Sequence, residues 1–350
     1  MTYQRPAFRH PEAPKNDLGF TRKDYEGTIS TLCAGCGHDS ISAAIIEACF
    51  TLPVAPHRVA KLSGIGCSSK TPAYFLGHSH SLNSVHGRMP SVATGANLAN
   101  RELMYIGVSG DGDSASIGFG QFAHVVRRNL NMSYIVENNG CYGLTKGQDS
   151  ATADRGSRSK KGAANPYEPI DLVSVAIQLG ATFVARSFSG DRHQLVALIK
   201  AALSHRGFAL LDVMSPCVTF NNHEGSTKSY GFVREHADVQ PVDFVPMREE
   251  IRTSYDPGTT QDVCMHDGSV VRLHKREGQD YDIEDAQAAL GAVAAHARDG
   301  RVLTGLIYIN RDAPELHEVL GTVRRPLNRL SEKELCPGSK VLDSINAGLR

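Results

Sequence analysis

Tryptophan is absent from this chain, and so are three features that would each have fixed a class at once: surplus charge, a long apolar run and an export signal. The missing tryptophan decides nothing. With 37 basic and 37 acidic side chains the net charge is zero, so there is no electrostatic footprint for nucleic acid or anionic lipid. No apolar run approaches the ~20 residues that cross a bilayer, and no membrane span is expected. The opening residues, MTYQRPAFRHPEAPKND, are polar and proline-rich, unlike a signal peptide, and a cytoplasmic protein is expected. What is there is length and sulfur. A chain of 350 residues can bury a full core, as one large domain or two smaller ones. Its eight cysteines, in a compartment that keeps thiols reduced, point to metal or cluster ligation before disulfides.

The organising stretch is 110–148, GDGDSASIGFGQFAHVVRRNLNMSYIVENNGCYGLTKGQ. The apolar run LMYIGVSG reads as a strand delivering Gly110, Asp111, Gly112 and Asp113 into a tight turn, followed by a helix. A second strand, SYIVE, then leads to Asn138 and Asn139. Parallel strands joined by a helix set their carboxyl ends side by side, where open α/β sheets bind ligands. Asp111 and Asn139 are thus hard-oxygen candidates for Mg²⁺, which takes its other oxygens from phosphates, carbonyls and water. Gly110 and Gly112 would let backbone approach a diphosphate, with the following helix N-terminus aimed at it. A glycine-rich βα turn and an unrelated Asn-Asn-Gly turn remain the alternative for either half alone.

Residues 1–30 show no apolar periodicity and read as an arm lying on the body or on a partner, or as a disordered tail. Cys33 and Cys36 form a Cys-x-x-Cys pair before the helical pattern SISAAIIEACF, with Gly35 and Gly37 letting the loop curl around a metal centre. Cys67 follows the strand RVAKLSG, and Cys217 follows the strand FALLDVM. Four thiols from separate loops suit a 4Fe-4S cluster, and zinc also accepts four thiolates. Cys49 reads as core, while Cys264 and Cys336 lack partners at useful spacing. His78 and His80 fit no common ligand spacing, whereas His86 and Arg88 open a helix and suit anion or cofactor contacts.

Residues 150–165, small, polar and basic, read as a lid, a docking loop or a solvated linker. Beyond them IDLVSVAIQLG, ATFVARS, DRHQLVALIKAALSH and FALLDVM alternate helix and strand. That argues for an α/β fold with a doubly wound, mostly parallel sheet. After about residue 221 the pattern loosens, leaving only the helix AQAALGAVAAHARDG and the strand RVLTGLIYIN. The expected division is therefore an arm over 1–30, a binding domain over 31–220 and a C-terminal extension over 221–350.

Taken in order, Cys-x-x-Cys-Gly-His, Gly-Ile-Gly-Cys-Ser-Ser, His-Gly-Arg, Gly-Asp-Gly, Asn-Asn-Gly-Cys-Tyr-Gly-Leu-Thr-Lys-Gly-Gln and Ser-Pro-Cys form one set. The set resembles the β subunit of 2-oxoacid:ferredoxin oxidoreductases from about residue 18 to 320, and GCSSKTPAYF looks most like the 2-oxoglutarate members. The resemblance implies a thiamine diphosphate-binding fold. It implies Mg²⁺ held by Asp111, Asn139 and the Cys141 carbonyl, and one 4Fe-4S cluster on Cys33, Cys36, Cys67 and Cys217. Thiamine diphosphate contacts match Ile65, Gly66, Cys67, Ser68, His86, Gly112, Asp113, Gly143 and Leu144. Lys70 and Leu144 would face the 2-oxoacid, Lys70 as a partner for its carboxylate, and His86 is counted with them as catalytic. Two departures, Ala34 in place of proline and cysteine at position 141, touch positions where only backbone geometry is required.

The implied activity is coenzyme A-dependent oxidative decarboxylation of a 2-oxoacid, 2-oxoglutarate before pyruvate, to acyl-CoA and carbon dioxide, with electrons leaving through the cluster to ferredoxin. The family's activating glutamate belongs to a pyrimidine-binding domain, and the residues after roughly 220 show too little α/β alternation for a second such domain. An α subunit supplying it, in an (αβ)₂ heterotetramer, is expected. The competing readings are a non-oxidative thiamine-dependent decarboxylase with structural zinc, and a non-enzymatic metal-binding scaffold subunit.

Overall fold

The computed structural model describes residues 12–157, 164–215, 217–219, 253–264, 270–275, 281–336 and 338–349. The expected lid or docking loop over 150–165 falls partly outside the described residues, as does the first part of the expected C-terminal extension, 221–252.

Short apolar runs become strands buried on both faces, which parallel sheets require. They are β1 (Val59–Ser63), β3 (Met104–Gly110), β4 (Met132–Asn138), β7 (Phe183–Phe188) and β8 (Phe208–Met214). An exposed strand, β2 (His80–Asn83), lies at the sheet edge, and β5 (Cys141–Tyr142) pairs with β6 (Gln148–Asp149) as a short antiparallel hairpin. Three later strands are β9 (Thr260–Cys264), β10 (Val270–Lys275) and β11 (Val302–Ile309).

The nine-stranded sheet runs β2-β1-β3-β4-β8-β7-β11-β10-β9. From β2 to β7 every neighbouring pair is parallel; β11 then runs antiparallel to β7. The strand and helix expected in the C-terminal region are present as β11 and Ala286–Arg298, and β9 to β11 continue the same sheet.

Period-two alternation sorts side chains between two cores. Met132, Tyr134 and Val136 of β4 face one core with Phe122 and Phe208, while Ile135 faces the other with Ile41, Ile45 and Leu198. The first core is closed by α2 (Met89–Ala99), α3 (Phe119–Arg127) and α4 (Leu172–Gln178), the second by α1 (Gly37–Thr51) and α5 (Arg192–Ser204). Phe122 packs edge-on against Tyr134 at 5.6 Å between centroids. Such a pair adds about 0.5–1.5 kcal/mol beyond the area it buries. Asp171 and Asp191 cap α4 and α5 by accepting from backbone N–H groups of their first turns.

From residue 12 the N-terminal arm lies on the body. Tyr25 is fully buried between Phe20 and Phe50, and the Gly27 N–H donates to the Tyr74 carbonyl at 2.8 Å. The parallel strands share one direction, so Gly64, Asp111, Asn139 and Ser215 all leave the sheet at the same edge.

Candidate active site

At that edge Asp111 is nearly inaccessible. Its Oδ1 accepts from the Asn139 N–H at 3.2 Å, and its Oδ2 accepts from the hydroxyls of Ser150 and of Thr152, the latter at 2.8 Å. Burial pushes its pKa up, with these hydrogen bonds working against the shift. Among the described residues its partners are all neutral, so a buried carboxylate stands at a strand end with no basic side chain among those hydrogen bonds. A cation at this place would relieve the cost of burying that charge. Asn139 turns its Oδ1 to the Cys141 N–H at 3.1 Å, and Asn138 joins the site to the sheet by donating to Asp212 Oδ1 at 3.1 Å. Asp212 in turn accepts from Arg186 Nε at 3.0 Å.

Asp113 organises the opposite wall. Its Oδ1 binds His86 Nδ1 and accepts the Gly87 N–H at 2.7 Å and the Ile65 N–H at 3.3 Å; its Oδ2 accepts from the Ser109 hydroxyl at 2.6 Å. One carboxylate thus fixes the loop after β1, the start of α2 and the end of β3. A Cβ on Gly64 would overlap this carboxylate, which explains glycine there.

The turn after Asp111 opens as a wide π-helical turn, Gly112–Ile117, before α3 begins. The two glycines beside Asp111 make room for protein neighbours. A Cβ on Gly112 would come within 2.5 Å of the Tyr142 ring, and one on Gly110 within 2.8 Å of Ser68 Oγ. Tyr142 closes over this place, its hydroxyl donating to the Gly112 carbonyl at 3.1 Å and its ring meeting His86 edge-on. The β5–β6 hairpin then presents Gly143 and the half-exposed Leu144 at the mouth.

The resulting cleft is lined by Ile65, Gly66, Cys67, Ser68, His86, Asp111, Gly112, Asp113, Asn139, Cys141, Gly143 and Leu144, all expected from sequence. Four further residues line it: Glu137, which no motif of the set contains, and His38, Tyr142 and Thr145, which stand inside those motifs with no role assigned from sequence. Glu137 carried a signal, being a charge inside the otherwise apolar run SYIVE; Ser150 and Thr152 carried none. Glu137 is fully buried, among the described residues neither carboxylate oxygen has a hydrogen-bond partner, and His38 Nδ1 stands 3.6 Å away. Burial pushes its pKa well up, against the influence of the nearby Thr71 hydroxyl. Burial lowers the His38 pKa to about 4, and its Nδ1 shares a 2.6 Å hydrogen bond with Ser215 Oγ. Lys70 does not line the cleft. It sits half-exposed on the turn Ser68–Ala73, where its charge acts on the Cys67 thiol. His78 and His80 are exposed and outside the cleft, and Cys49 is in the core.

Beside the cleft the thiols gather. Burial raises the Cys67 pKa first, and the charges of Cys217 and Cys33 add to it; burial also raises that of Cys36, with Cys217 contributing. A Cβ on Gly143 would lie 3.3 Å from Cys67 Sγ and 3.9 Å from Cys217 Sγ. The Thr219 hydroxyl donates to Cys33 Sγ at 3.3 Å. Loops from four places in the chain therefore meet here. Among the described residues no three His, Cys, Asp or Glu side chains are grouped tightly enough to hold a single metal ion. No described helix is long and apolar enough to cross a membrane.

Residues 64–213 match the thiamine pyrophosphate enzyme C-terminal TPP-binding domain. A 2-oxoacid:ferredoxin oxidoreductase subunit beta of Sulfolobus is 42% identical over 191 residues, 54% of this chain and 63% of that protein. The 2-oxoglutarate synthase subunit KorB of Methanothermobacter marburgensis is 36% identical over 216 residues, covering 61% of this chain and 73% of that protein. The chain spans less than two thirds of the Sulfolobus relative's length. A solved 2-oxoglutarate:ferredoxin oxidoreductase from Magnetococcus marinus, with 2-oxoglutarate, coenzyme A and succinyl-CoA bound, superposes with a TM-score of 0.69. It is 31% identical, and the match covers 92% of this chain and 97% of that one. A strand-edge cradle of this geometry, with identity at this level along almost the whole of a solved relative, places the chain in the β-subunit family of the 2-oxoacid:ferredoxin oxidoreductases.

Proposed function

We propose that the chain is the cofactor-bearing half of a coenzyme A-dependent 2-oxoacid:ferredoxin oxidoreductase, acting on 2-oxoglutarate to give succinyl-CoA and carbon dioxide. The observation that carries this reading is one cleft lined both by a buried carboxylate, Asp111, whose partners among the described residues are all neutral, and by Cys67, whose sulfur lies with that of Cys217 beside Gly143. The donor chemistry fits the three groups. Asp111, the Asn139 side chain and the Cys141 carbonyl are hard oxygens suited to Mg²⁺. Ile65 to Ser68, His86, Gly112, Asp113, Gly143 and Leu144 would hold thiamine diphosphate. Cys33, Cys36, Cys67 and Cys217 would hold a 4Fe-4S cluster. When bound, the thiamine cofactor supplies carbanion stabilisation at the 2-oxo carbon, Mg²⁺ offsets the diphosphate charge, and the cluster accepts electrons singly.

The chain's own residues prepare the place. Ser150 and Thr152 fix the plane of the Asp111 carboxylate, and Asp113 fixes His86 and the Ile65 N–H. Tyr142 holds the Gly112 carbonyl by its hydroxyl. Leu144 would meet substrate at the mouth, and Lys70 would reach toward a carboxylate from the adjacent turn. An α subunit bringing the pyrimidine-binding domain, an (αβ)₂ assembly, ferredoxin as acceptor and a cytoplasmic setting complete the reading. The Magnetococcus relative's bound 2-oxoglutarate, coenzyme A and succinyl-CoA support the choice of substrate.

Anaerobic co-expression with the α subunit tests it, by viologen reduction with coenzyme A and a panel of 2-oxoacids. Turnover with 2-oxoglutarate is expected. Activity confined to pyruvate would remove the substrate assignment, and full turnover by the chain alone would remove the half-site reading.

A further inference from the structure

Toward the site edge the apolar rows of the sheet give way to polar side chains. On the face that carries Val136, Leu210 and Val184 into the first core, the next residues along β4, β8 and β7 are Asn138, Asp212 and Arg186. Arg186 is buried and holds two carboxylates, donating from Nε to Asp212 Oδ2 at 3.0 Å and from Nη2 to Asp171 Oδ1 at 2.5 Å. The other oxygen of Asp212 accepts from the Asn138 amide at 3.1 Å, which turns Asn138 Oδ1 toward Thr152. The Thr152 hydroxyl stands 3.0 Å from that oxygen and 2.8 Å from Asp111 Oδ2, so its one proton is shared between them. Asn138 Oδ1 also accepts from the Gly140 N–H at 3.4 Å, across the turn that carries Asn139. Asp171 closes the path into a ring. Its Oδ1 caps α4, and the neighbouring Ile170 N–H donates to the Ala151 carbonyl at 2.7 Å, next to Thr152.

We infer that Arg186 is a positioning residue for the Asp111 site: through Asp212 it sets the Asn138 amide, and through that amide the Thr152 hydroxyl and the turn carrying Asn139. The inference rests on the Mg²⁺ and thiamine diphosphate assignment above. The fold alone does not call for these charges, because apolar residues of similar volume often replace a buried ion pair without loss of stability. What the charges supply is direction. A carboxamide can turn over and present either its oxygen or its nitrogen, whereas a carboxylate only accepts. With Asp212 held by Arg186, Asn138 gives its N–H to Asp212 and its oxygen to Thr152 and Gly140. Residues one step removed from a metal's ligands orient those ligands, and losing one typically costs about 10–100-fold in metal affinity.

The test uses the anaerobically purified complex with the α subunit, stripped of Mg²⁺ and thiamine diphosphate, comparing the native chain with Arg186→Met, Asn138→Ala and the two combined. The readouts are the Mg²⁺ dissociation constant at saturating thiamine diphosphate, by calorimetry, and the unfolding temperature of the stripped complex. Arg186→Met should raise the dissociation constant about 10-fold or more. Asn138→Ala should raise it comparably, and the combination should be no worse than the poorer single variant, because both cut one path. A lower unfolding temperature with a native Mg²⁺ constant in Arg186→Met would overturn the inference, since the residue would then serve the fold alone. Losses that multiply in the combined variant would overturn it too, since Arg186 would not act through Asn138. If Arg186→Met does not assemble, Arg186→Lys, which keeps the charge and loses the fork that spans both carboxylates, is read in the same way. A native complex that binds no Mg²⁺ with thiamine diphosphate would overturn the site assignment together with the inference.

Discussion

The two halves of the site are built in opposite ways. In the cradle, among the described residues, Asp111 accepts three hydrogen bonds and Asp113 four, from the end of β3 and from the segments after β1, β2, β4 and β6. In the thiol corner, among the described residues, the loops are tied by contacts such as His38 to Ser215 at 2.6 Å and Thr219 to Cys33 at 3.3 Å. On the proposed assignment, oxygen ligands on strand ends would be set by the sheet before any cofactor arrives. Thiols on loops would depend on the proposed centre, since a metal site rarely exists fully preformed and binding energy completes it.

The sharpest way to separate the halves is Cys33→Ser combined with Cys217→Ser. Iron and visible absorbance should be lost completely, while calorimetry should still detect thiamine diphosphate with Mg²⁺ bound to the complex. Loss of both would show that the halves are one unit. Asp111→Ala probes the other side. Removing a charged acceptor costs about 1.5–3 kcal/mol per hydrogen bond, so cofactor affinity should fall at least ~10-fold with iron content unchanged. Binding isotherms and iron analysis check this.

A smaller effect is expected at Gly64, where a Cβ must displace the Asp113 carboxylate. Gly64→Ala should cost about 1–3 kcal/mol in denaturant unfolding of the cofactor-free chain, as overpacking does. The smallest concerns pH. Burial holds His38 near pKa about 4 against an ordinary 6.5, so the unfolded chain takes up this proton first as pH falls. The contribution is full above 6.5 and lost progressively toward 4, about 1–2 kcal/mol between pH 7 and 5. Asp111 and Glu137, raised by burial, change in the opposite sense, so the difference between native chain and His38→Gln isolates the histidine.

Sequence pattern revealed the parallel strands because buried strands are continuous apolar runs, as in FALLDVM and VAKLS. The edge strand HSLN escaped, since all four residues are exposed and carry no pattern. β9 and β10 escaped among polar, charged residues such as TQDVC and VVRLHK. In the site, residues marked by glycine turns or fixed spacing, Gly-Asp-Gly, Asn-Asn-Gly and the cysteines, were legible because backbone geometry restricts which side chains serve there. Ser150 and Thr152 were not, because a hydroxyl that supports a carboxylate needs only to be near it in space. The family resemblance puts Lys70 at the substrate, yet the turn after Cys67 leaves it outside the cleft lining.

The central claim is that substrate electrons pass from the cradle to the thiol corner within this chain. The most direct measurement is the visible and paramagnetic spectrum of the anaerobic αβ complex on adding 2-oxoglutarate and coenzyme A. We predict substrate-dependent bleaching and a reduced-cluster signal, both abolished in Asp111→Ala. A cluster that stays oxidised while 2-oxoglutarate is consumed would contradict it.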